Sequence, residues 1–267
     1  MPVVTFAAVP DQRDAQLEKP VPVLNVDDLK PACTDTVKIN ETVSRPWTMT
    51  KGTSPIALHT GIYKLHLEAQ ATLNNAELND SVKLPAGVGE DEWIAAQVLG
   101  IFEEVEFVVS LLDDLCTETS CPAMSAGKQV AYKWQDDEEY KVPTKMPACK
   151  YMNLLISYVK KTLGNEQIVP TDGSPFPKHF KEEMGIILKR LFRVYAHAYL
   201  HHFREIRELQ AEAHLNFCFK HFMFFVKEFN LVKMEDMAPL AKLMQKFEAQ
   251  HRCKDRAESG LEAALGM

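Results

Sequence analysis

Cysteine and histidine residues form two widely separated groups that could together hold a metal ion. Cys116 and Cys121 lie in the segment Leu-Cys-Thr-Glu-Thr-Ser-Cys-Pro, at the end of a predicted helix. Far downstream, the segment Arg-Val-Tyr-Ala-His-Ala-Tyr-Leu-His-His-Phe supplies His197, His201 and His202. Two thiolates and two imidazoles make a tetrahedral zinc site, and two such remote pairs would fix distant helices to each other. Ordinary buried thiols and helical histidines fit the same spacing equally well.

The choice of the second histidine depends on how the helix is built. His197 and His201 are four residues apart and therefore share one face of an ideal α-helix. His202 is one residue further along, which places it about 140° from His197 around the helix axis. Helix geometry alone therefore favours His201 as the partner of His197.

A group of basic residues within one predicted helix could bind a phosphate. The segment from Lys178 to Arg207 has seven basic and three acidic residues, in a chain whose formal net charge is -7. Lys189 and Arg193 share a helical face and Arg190 lies beside them, so three cations could hold the oxygens of one phosphate. A solvated or salt-bridged helix face explains the same group more simply, and these residues taken alone favour that explanation.

Apolar residues at helical spacing predict the elements that carry these side chains. The clearest stripe, in a helix from Glu90 to Leu115, consists of Ile94, Val98, Ile101, Val105, Val108, Leu112 and Leu115. Further helices are predicted at Ile62 to Leu73, Pro147 to Gly164, Lys178 to Arg204, Ile206 to Phe229 and Met234 to Gln250. Other patterns predict a short hairpin between Val130 and Lys145 and a loop from Asn165 to Pro177. A mainly α fold without a parallel sheet follows.

Composition limits the classes of protein to which the chain can belong. The 267 residues are 46% hydrophobic and 25% charged, which is typical of a globular protein. No apolar run approaches the roughly 20 residues of a membrane span, and the first residues lack the features of a secretory signal. We therefore expect a soluble protein of the cytoplasm or nucleus, in which the six cysteines are thiols or metal ligands. The negative net charge argues against a general nucleic-acid binder.

The distribution of prolines divides the chain into three parts. Seven of the fifteen prolines fall within the first 60 residues, where apolar residues have no sustained period. We interpret residues 1–60 as a disordered, proline-containing arm, residues 61–250 as one α-rich domain, and residues 251–267 as a polar tail.

Several longer motifs resemble the MOB (Mps-one-binder), or phocein, family of kinase regulators. In the first half they are Val-Lys-Leu-Pro from Val82, Glu-Trp from Glu92, the Cys-Thr-Glu-Thr-Ser-Cys-Pro segment, and Met-Ser-Ala-Gly from Met124. In the second half they are Leu-Lys-Arg-Leu-Phe-Arg-Val-Tyr-Ala-His from Leu188, Glu-Ala-His-Leu-Asn from Glu212 and Phe-Lys-His-Phe from Phe219. The resemblance covers the chain from about Tyr63 to Glu248.

The resemblance implies a domain built on a four-helix bundle, with a structural zinc ion held by a cysteine pair and a histidine pair. The matching positions are Cys116, Cys121, His197 and His202. This match selects His202 over His201, which implies a local departure from ideal helix geometry. Two cysteines and two histidines fill all four positions around zinc, and the chain lacks an HExxH motif, so we expect no enzymatic activity.

The resemblance also implies two kinds of partner. The first is the N-terminal regulatory region of an NDR/LATS-type kinase, and the second is a phosphorylated segment of an upstream Ste20-like kinase. The positions that match the kinase-binding surface are Glu92, Trp93 and His221, and those that match the phosphopeptide pocket are Lys189, Arg190 and Arg193. Thr72 lies where the family resemblance suggests regulatory phosphorylation.

Two positions depart from the pattern of the kinase-activating members. Val88 and Gly100 stand where acidic residues are expected near the Glu-Trp motif. The departure affects the surface that would face a kinase, and it keeps an alternative function open. The alternative is a phocein-like scaffold in a phosphatase-containing complex, with the same fold and without kinase activation.

Overall fold

A computed structural model describes residues 78–250 of the protein. Its elements are α1 (Leu78–Ser81), α2 (Glu90–Leu112), β1 (Ser125–Ala126), β2 (Val130–Ala131), α3 (Ala148–Leu163), α4 (Phe180–His201), α5 (Phe203–Glu208), α6 (Glu212–Glu228), a 3-10 helix (Met234–Leu240) and α7 (241–250). The predicted arm, the helix from Ile62 to Leu73, Thr72 and the predicted polar tail lie outside the described residues.

Helix α2 is the element that the apolar stripe predicts most clearly. The six stripe residues from Ile94 to Leu112 are fully buried, and Leu115 follows the end of the helix. Three acidic residues occupy the first turn, where negative charge stabilises the positive end of the helix dipole. The helix ends three residues earlier than predicted, because the backbone N–H groups of Leu115 and Cys116 both donate to the carbonyl of Leu112 and tighten the chain into a turn.

Four long helices, α2, α3, α4 and α6, form the bundle, and α2 contacts the other three. The centre of α4 is buried over residues 191–199, without the polar face that a surface helix shows. Its Phe192 and Tyr195 rings pack against Phe219 and Phe222 of α6, with ring centroids 5.3–6.3 Å apart.

Across residues 78–250, no helix combines the length and the apolar character that crossing a membrane requires.

Helix α3 follows its prediction closely, and the later helices differ from theirs. Pro147 precedes α3 and Gly164 ends it, as proline and glycine commonly do. Three helices replace the two predicted between Lys178 and Phe229, because the helical backbone is interrupted at His202 and again before Glu212. The predicted last helix begins as a 3-10 helix containing Pro239, a residue that lacks the N–H group for an α-helical hydrogen bond.

The small hairpin begins earlier in the chain than predicted. Strands β1 and β2 pair antiparallel, with Ser125 opposite Ala131 and Ala126 opposite Val130. The predicted segment from Val130 to Lys145 does fold back on itself, but through a single bridge between Trp134 and Thr144 rather than through two regular strands. A polar turn between them is held by the side chain of Asp136, which accepts hydrogen bonds from Trp134 and from two backbone N–H groups.

Gly185 of α4 lies where two parts of the chain come unusually close. A Cβ atom at this position would stand 2.7 Å from the carbonyl oxygen of Leu231, a backbone atom that cannot rotate away. The absence of a side chain therefore lets the segment after α6 pack directly on α4.

Replacing Gly185 by alanine should destabilise the domain by about 1–3 kcal/mol, the usual cost of overpacking. In an open helical position the same change would instead stabilise by about 1 kcal/mol. Urea denaturation followed by circular dichroism measures the difference. Glu182→Ala, at an exposed position of the same helix, serves as the control and should change stability by less than about 0.5 kcal/mol. A Gly185→Ala protein as stable as the wild type would show that the backbone contact can relax.

Candidate metal centre and adjoining surfaces

The turn after α2 directs two cysteine side chains into the protein. The backbone N–H of Cys121 donates to the carbonyl of Thr117, and Ser120 Oγ donates to the carbonyl of Leu115 at 2.6 Å. These local bonds close the segment between the two cysteines on itself. Both thiols are buried as a result.

The histidines approach the same place from helix α4. His197 lies inside the last turns of α4, and its Nδ1 is 2.8 Å from the carbonyl oxygen of Ser125 in strand β1. A carbonyl oxygen can only accept, so Nδ1 carries the proton and Nε2 keeps its lone pair. His202 is the residue that ends α4, with φ -126° and ψ 11°, well away from helical values. This break turns its ring toward His197.

Four side chains converge at this point. The Nε2 atoms of His197 and His202 lie 3.3 Å and 3.0 Å from Cys116 Sγ, and His202 Nε2 lies 3.2 Å from Cys121 Sγ. All four ligand atoms are within 4.8 Å of one another, and all four residues are buried, so the group could hold a metal ion. Across a tetrahedral zinc ion, sulfur and nitrogen ligands would stand about 3.6 Å apart, close to these distances.

His201 does not join this group. Its ring is on the exposed side of the helix end, where Nε2 accepts a hydrogen bond from the backbone N–H of Gly127 at 3.1 Å and lies 3.0 Å from Ser125 Oγ. Ideal helix geometry favoured His201 as the partner of His197, but the structure brings His202 to that position, because α4 ends at His201. Reasoning from sequence also missed Ser125, whose carbonyl orients His197.

The buried environment prepares the four donors for a cation. Burial lowers the pKa of His197 to about 4 and also lowers the pKa of His202, so both imidazoles are neutral at neutral pH and can donate a lone pair. Burial, and next the neighbouring Cys121, raises the pKa of the Cys116 thiol. Two buried thiolates are therefore unfavourable unless a positive ion compensates them, and the donor set fits such an ion.

The three predicted phosphate-binding residues are in very different surroundings. The Nζ of Lys189 forms an ion pair with Asp236 Oδ1 at 3.2 Å. The Arg190 guanidinium lies over the rings of Trp134 and Tyr158, 4.8 Å and 4.4 Å from their centroids. Such stacking holds a guanidinium in one orientation. The ring contacts of Arg190 differ from a solvated helix face, in which side chains would extend into water, whereas the ion pair of Lys189 is what a salt-bridged face would contain.

Arg193 is the most buried of the three, with 8% of its surface exposed. Its Nη1 donates to the hydroxyl of Tyr151 at 2.8 Å, and its guanidinium lies over the ring of Tyr132. Three buried polar atoms near this group lack a hydrogen-bond partner, namely Arg190 Nη1, Gln135 Oε1 and the Tyr132 hydroxyl. Unsatisfied buried groups are uncommon, and here they mark a polar site that a ligand or water could complete.

Of the three predicted kinase-binding residues, only Glu92 is exposed. Trp93 is 3% exposed, and its indole Nε1 donates to the carbonyl of Val82 at 2.9 Å. His221 is 1% exposed and lies between Gln97 Oε1 at 2.8 Å and Glu104 Oε1 at 2.9 Å. Trp93 and His221 are thus core residues that support the surface of α2. No sequence pattern indicated the polar network that His221 forms with Gln97 and the partly buried Glu104.

Fold and site together define a class: mainly α domains in which the ends of bundle helices converge on a buried group of two cysteines and two histidines. This chain belongs to the Mob1/phocein family, whose model matches residues 70–240. The chain is 43% identical to human MOB kinase activator 3B over 183 residues, which are 68% of this chain and 85% of that protein. It is 42% identical to human MOB kinase activator 3A over 183 residues, or 68% of this chain and 84% of that protein.

Metal analysis of two histidine variants tests the centre. His202→Ala should lose the bound metal and lower the melting temperature, because ion binding contributes to folding free energy when the unfolded chain cannot assemble the site. His201→Ala is the matched control: it removes an imidazole one residue away and should keep the metal. Elemental analysis and thermal denaturation of both proteins would be compared with wild type. Loss of metal from His201→Ala alone would contradict the arrangement described above.

Proposed function

We propose that this protein is a non-catalytic, zinc-binding adaptor that binds and activates NDR/LATS-type protein kinases and docks phosphorylated Ste20-like kinases. The observation that carries the proposal is its similarity to human MOB kinase activator 3B along most of that protein. An adaptor needs surfaces for its partners and a rigid frame between them, and both can be assigned to described residues.

Zinc would supply the rigidity of the frame. The ion would be held by Cys116, Cys121, His197 and His202, which join the end of α2 to the junction of α4 and α5. Two thiolates and two imidazoles are a closed structural set that leaves no coordination position for a substrate or a reactive water. The role of these residues in the adaptor is therefore to fix helices and not to perform chemistry.

Helix α2 would provide the surface for the downstream kinase. It carries six acidic residues and no lysine or arginine, namely Glu90, Asp91, Glu92, Glu103, Glu104 and Glu106. Lys181 of α4 and Lys160 of α3 pair with three of these acids, namely Glu90, Asp91 and Glu106. Six acidic residues beside two lysines still leave this surface negative, so a basic regulatory segment of a kinase is a suitable ligand. Trp93 anchors the start of the helix through Val82, which keeps the exposed Glu92 in place.

The basic group on α4 would hold the phosphorylated partner. Arg190 is fixed by two aromatic rings and by its hydrogen bond to the carbonyl of Gln135 at 3.1 Å, so it is already ordered before a ligand arrives. Arg190 and the nearby Lys189 and Arg193 offer several donors to phosphate oxygens. A threonine hydroxyl would make far fewer contacts, so binding would depend on phosphorylation.

Activation of the kinase would be allosteric. An adaptor shifts a kinase toward its active conformation only if it binds that conformation more tightly than the inactive one. The adaptor would also bring two kinases together. A phosphorylated kinase held at α4 would bring its kinase domain near a downstream kinase held at α2, so that one could phosphorylate the other.

A phocein-like scaffold in a phosphatase-containing complex is the second candidate. Val88 lies just before α2 and Gly100 lies within it. Both are uncharged where the kinase-activating members are expected to have acidic residues, so a basic kinase segment would meet less negative charge here. Affinity purification of the full chain from cells, followed by mass spectrometry, separates the two functions. Recovery of NDR/LATS-type kinases supports the first candidate, and recovery of phosphatase subunits without these kinases supports the second.

Reversing the charge of Glu92 should weaken kinase binding. Glu92→Lys removes one attractive charge from an exposed position and adds a repulsive one, so the affinity for an N-terminal regulatory segment of an NDR/LATS-type kinase should fall about tenfold. Calorimetric titration measures this. Glu228→Lys makes the same change at an exposed position at the end of α6 and should leave binding unchanged. An equal loss of affinity in both variants would mean that only the net charge of the protein matters. Unchanged affinity in both would mean that the kinase segment binds a surface other than α2.

Phosphopeptide binding is tested with an array of peptides that carry a central phosphothreonine between varied flanks, beside the same peptides with threonine. The wild type should bind phosphorylated spots only, and the affinity of the best peptide is then measured by fluorescence anisotropy. Arg190→Ala should weaken it at least about tenfold, since charge-assisted hydrogen bonds are lost. Arg207→Ala removes the same charge at an exposed site and is the control. A wild type that binds both arrays equally would refute phosphate recognition.

A further inference from the structure

An acidic residue sits within the basic group on α4. Asp236 belongs to the 3-10 helix from Met234 to Leu240, which packs on α4. Its Oδ1 is 3.2 Å from the Nζ of Lys189, and the two side chains are 24% and 27% exposed. Partial burial reduces screening by water, so this ion pair is stronger than a pair on the open surface.

The charge of Asp236 also reaches Tyr132, whose hydroxyl is buried without a hydrogen-bond partner. Burial raises the pKa of Tyr132, the Arg193 guanidinium opposes that rise, and the Asp236 carboxylate adds to it. Both charges therefore act on the same hydroxyl. Asp236 therefore pairs with the lysine of the basic group and acts on the hydroxyl of Tyr132, over whose ring the Arg193 guanidinium lies.

We propose that Asp236 is an intramolecular competitor for the phosphate, because it occupies Lys189 until a phosphorylated ligand replaces it. This inference rests on the phosphopeptide site proposed above. A phosphate carries nearly two charges and three acceptor oxygens, so it can engage the two arginines and still reach the lysine. A part of its binding free energy is spent in separating Lys189 from Asp236. The contact thus lowers the affinity of the site, while the buried Met237 and Leu240 keep the 3-10 helix in the core.

Removing the competing charge should strengthen binding. Asp236→Asn keeps the shape of the side chain and should raise the affinity for the best phosphothreonine peptide of the array about fivefold, the equivalent of one partly exposed ion pair. Glu235→Gln removes the same charge from the neighbouring, exposed residue of the same helix. It should change the affinity less than about twofold, since a distant charge is screened by salt. Thermal denaturation of each variant checks that the fold is kept.

A double-mutant cycle shows whether the effect passes through Lys189. In a Lys189→Ala background, Asp236→Asn should no longer raise the affinity, because the contact for which phosphate competes is already gone. An equal gain in that background, or no gain in the wild-type background, would overturn the competitor role while leaving phosphopeptide binding in place. A wild type that does not distinguish phosphothreonine from threonine would overturn both the proposed site and this inference.

Discussion

The domain depends on one constraint, the position at which helix α4 must stop. An α-helix cannot direct residues five apart to the same point, because its period of 3.6 residues turns them to different sides. His197 and His202 nevertheless both reach Cys116. The backbone therefore leaves helical geometry at His202, and the short helix α5 starts in a new direction. The group that could hold a metal ion and the topology of the second half of the domain both depend on this single break.

Polar contacts inside the bundle add specificity to an otherwise apolar core. Arg193 of α4 reaches Tyr151 of α3, and His221 of α6 lies between Gln97 and Glu104 of α2. A buried charged or polar group is costly without its partner, so helices packed in a different register would be penalised. The aromatic rings of α4 and α6 could pack in several ways, and these directional contacts favour one of them.

Charge is distributed over the bundle according to the roles we propose. Helix α2 presents acidic residues, and the buried helix α4 carries its cations at one side, where aromatic rings and backbone carbonyls orient them. Because α2 and α4 pack against each other, the two proposed binding surfaces belong to one rigid unit. In the role we propose for it, Asp236 opposes binding, so the affinity of such a surface is the difference between two sets of contacts.

The amino-acid sequence determined the helices with strong local signals. The stripe of α2 and the proline and glycine at the ends of α3 depend only on neighbouring residues, and both predictions were confirmed to within a few residues. The resemblance of its motifs to a known family identified the fold. It also pointed to the four residues that the structure brings together, while ideal helix geometry pointed to His201.

Only the tertiary structure decided which polar residues face outward and which are buried. The family resemblance assigned Trp93 and His221 to a kinase-binding surface, yet the core encloses both of them. The pairing of Lys189 with Asp236 joins residues far apart in the chain, and no local pattern signals it. Spacing specifies contacts between residues a few positions apart, whereas contacts between distant segments depend on how whole helices pack. The four residues of the candidate metal centre could therefore be proposed from motifs, but the residues that surround them could not.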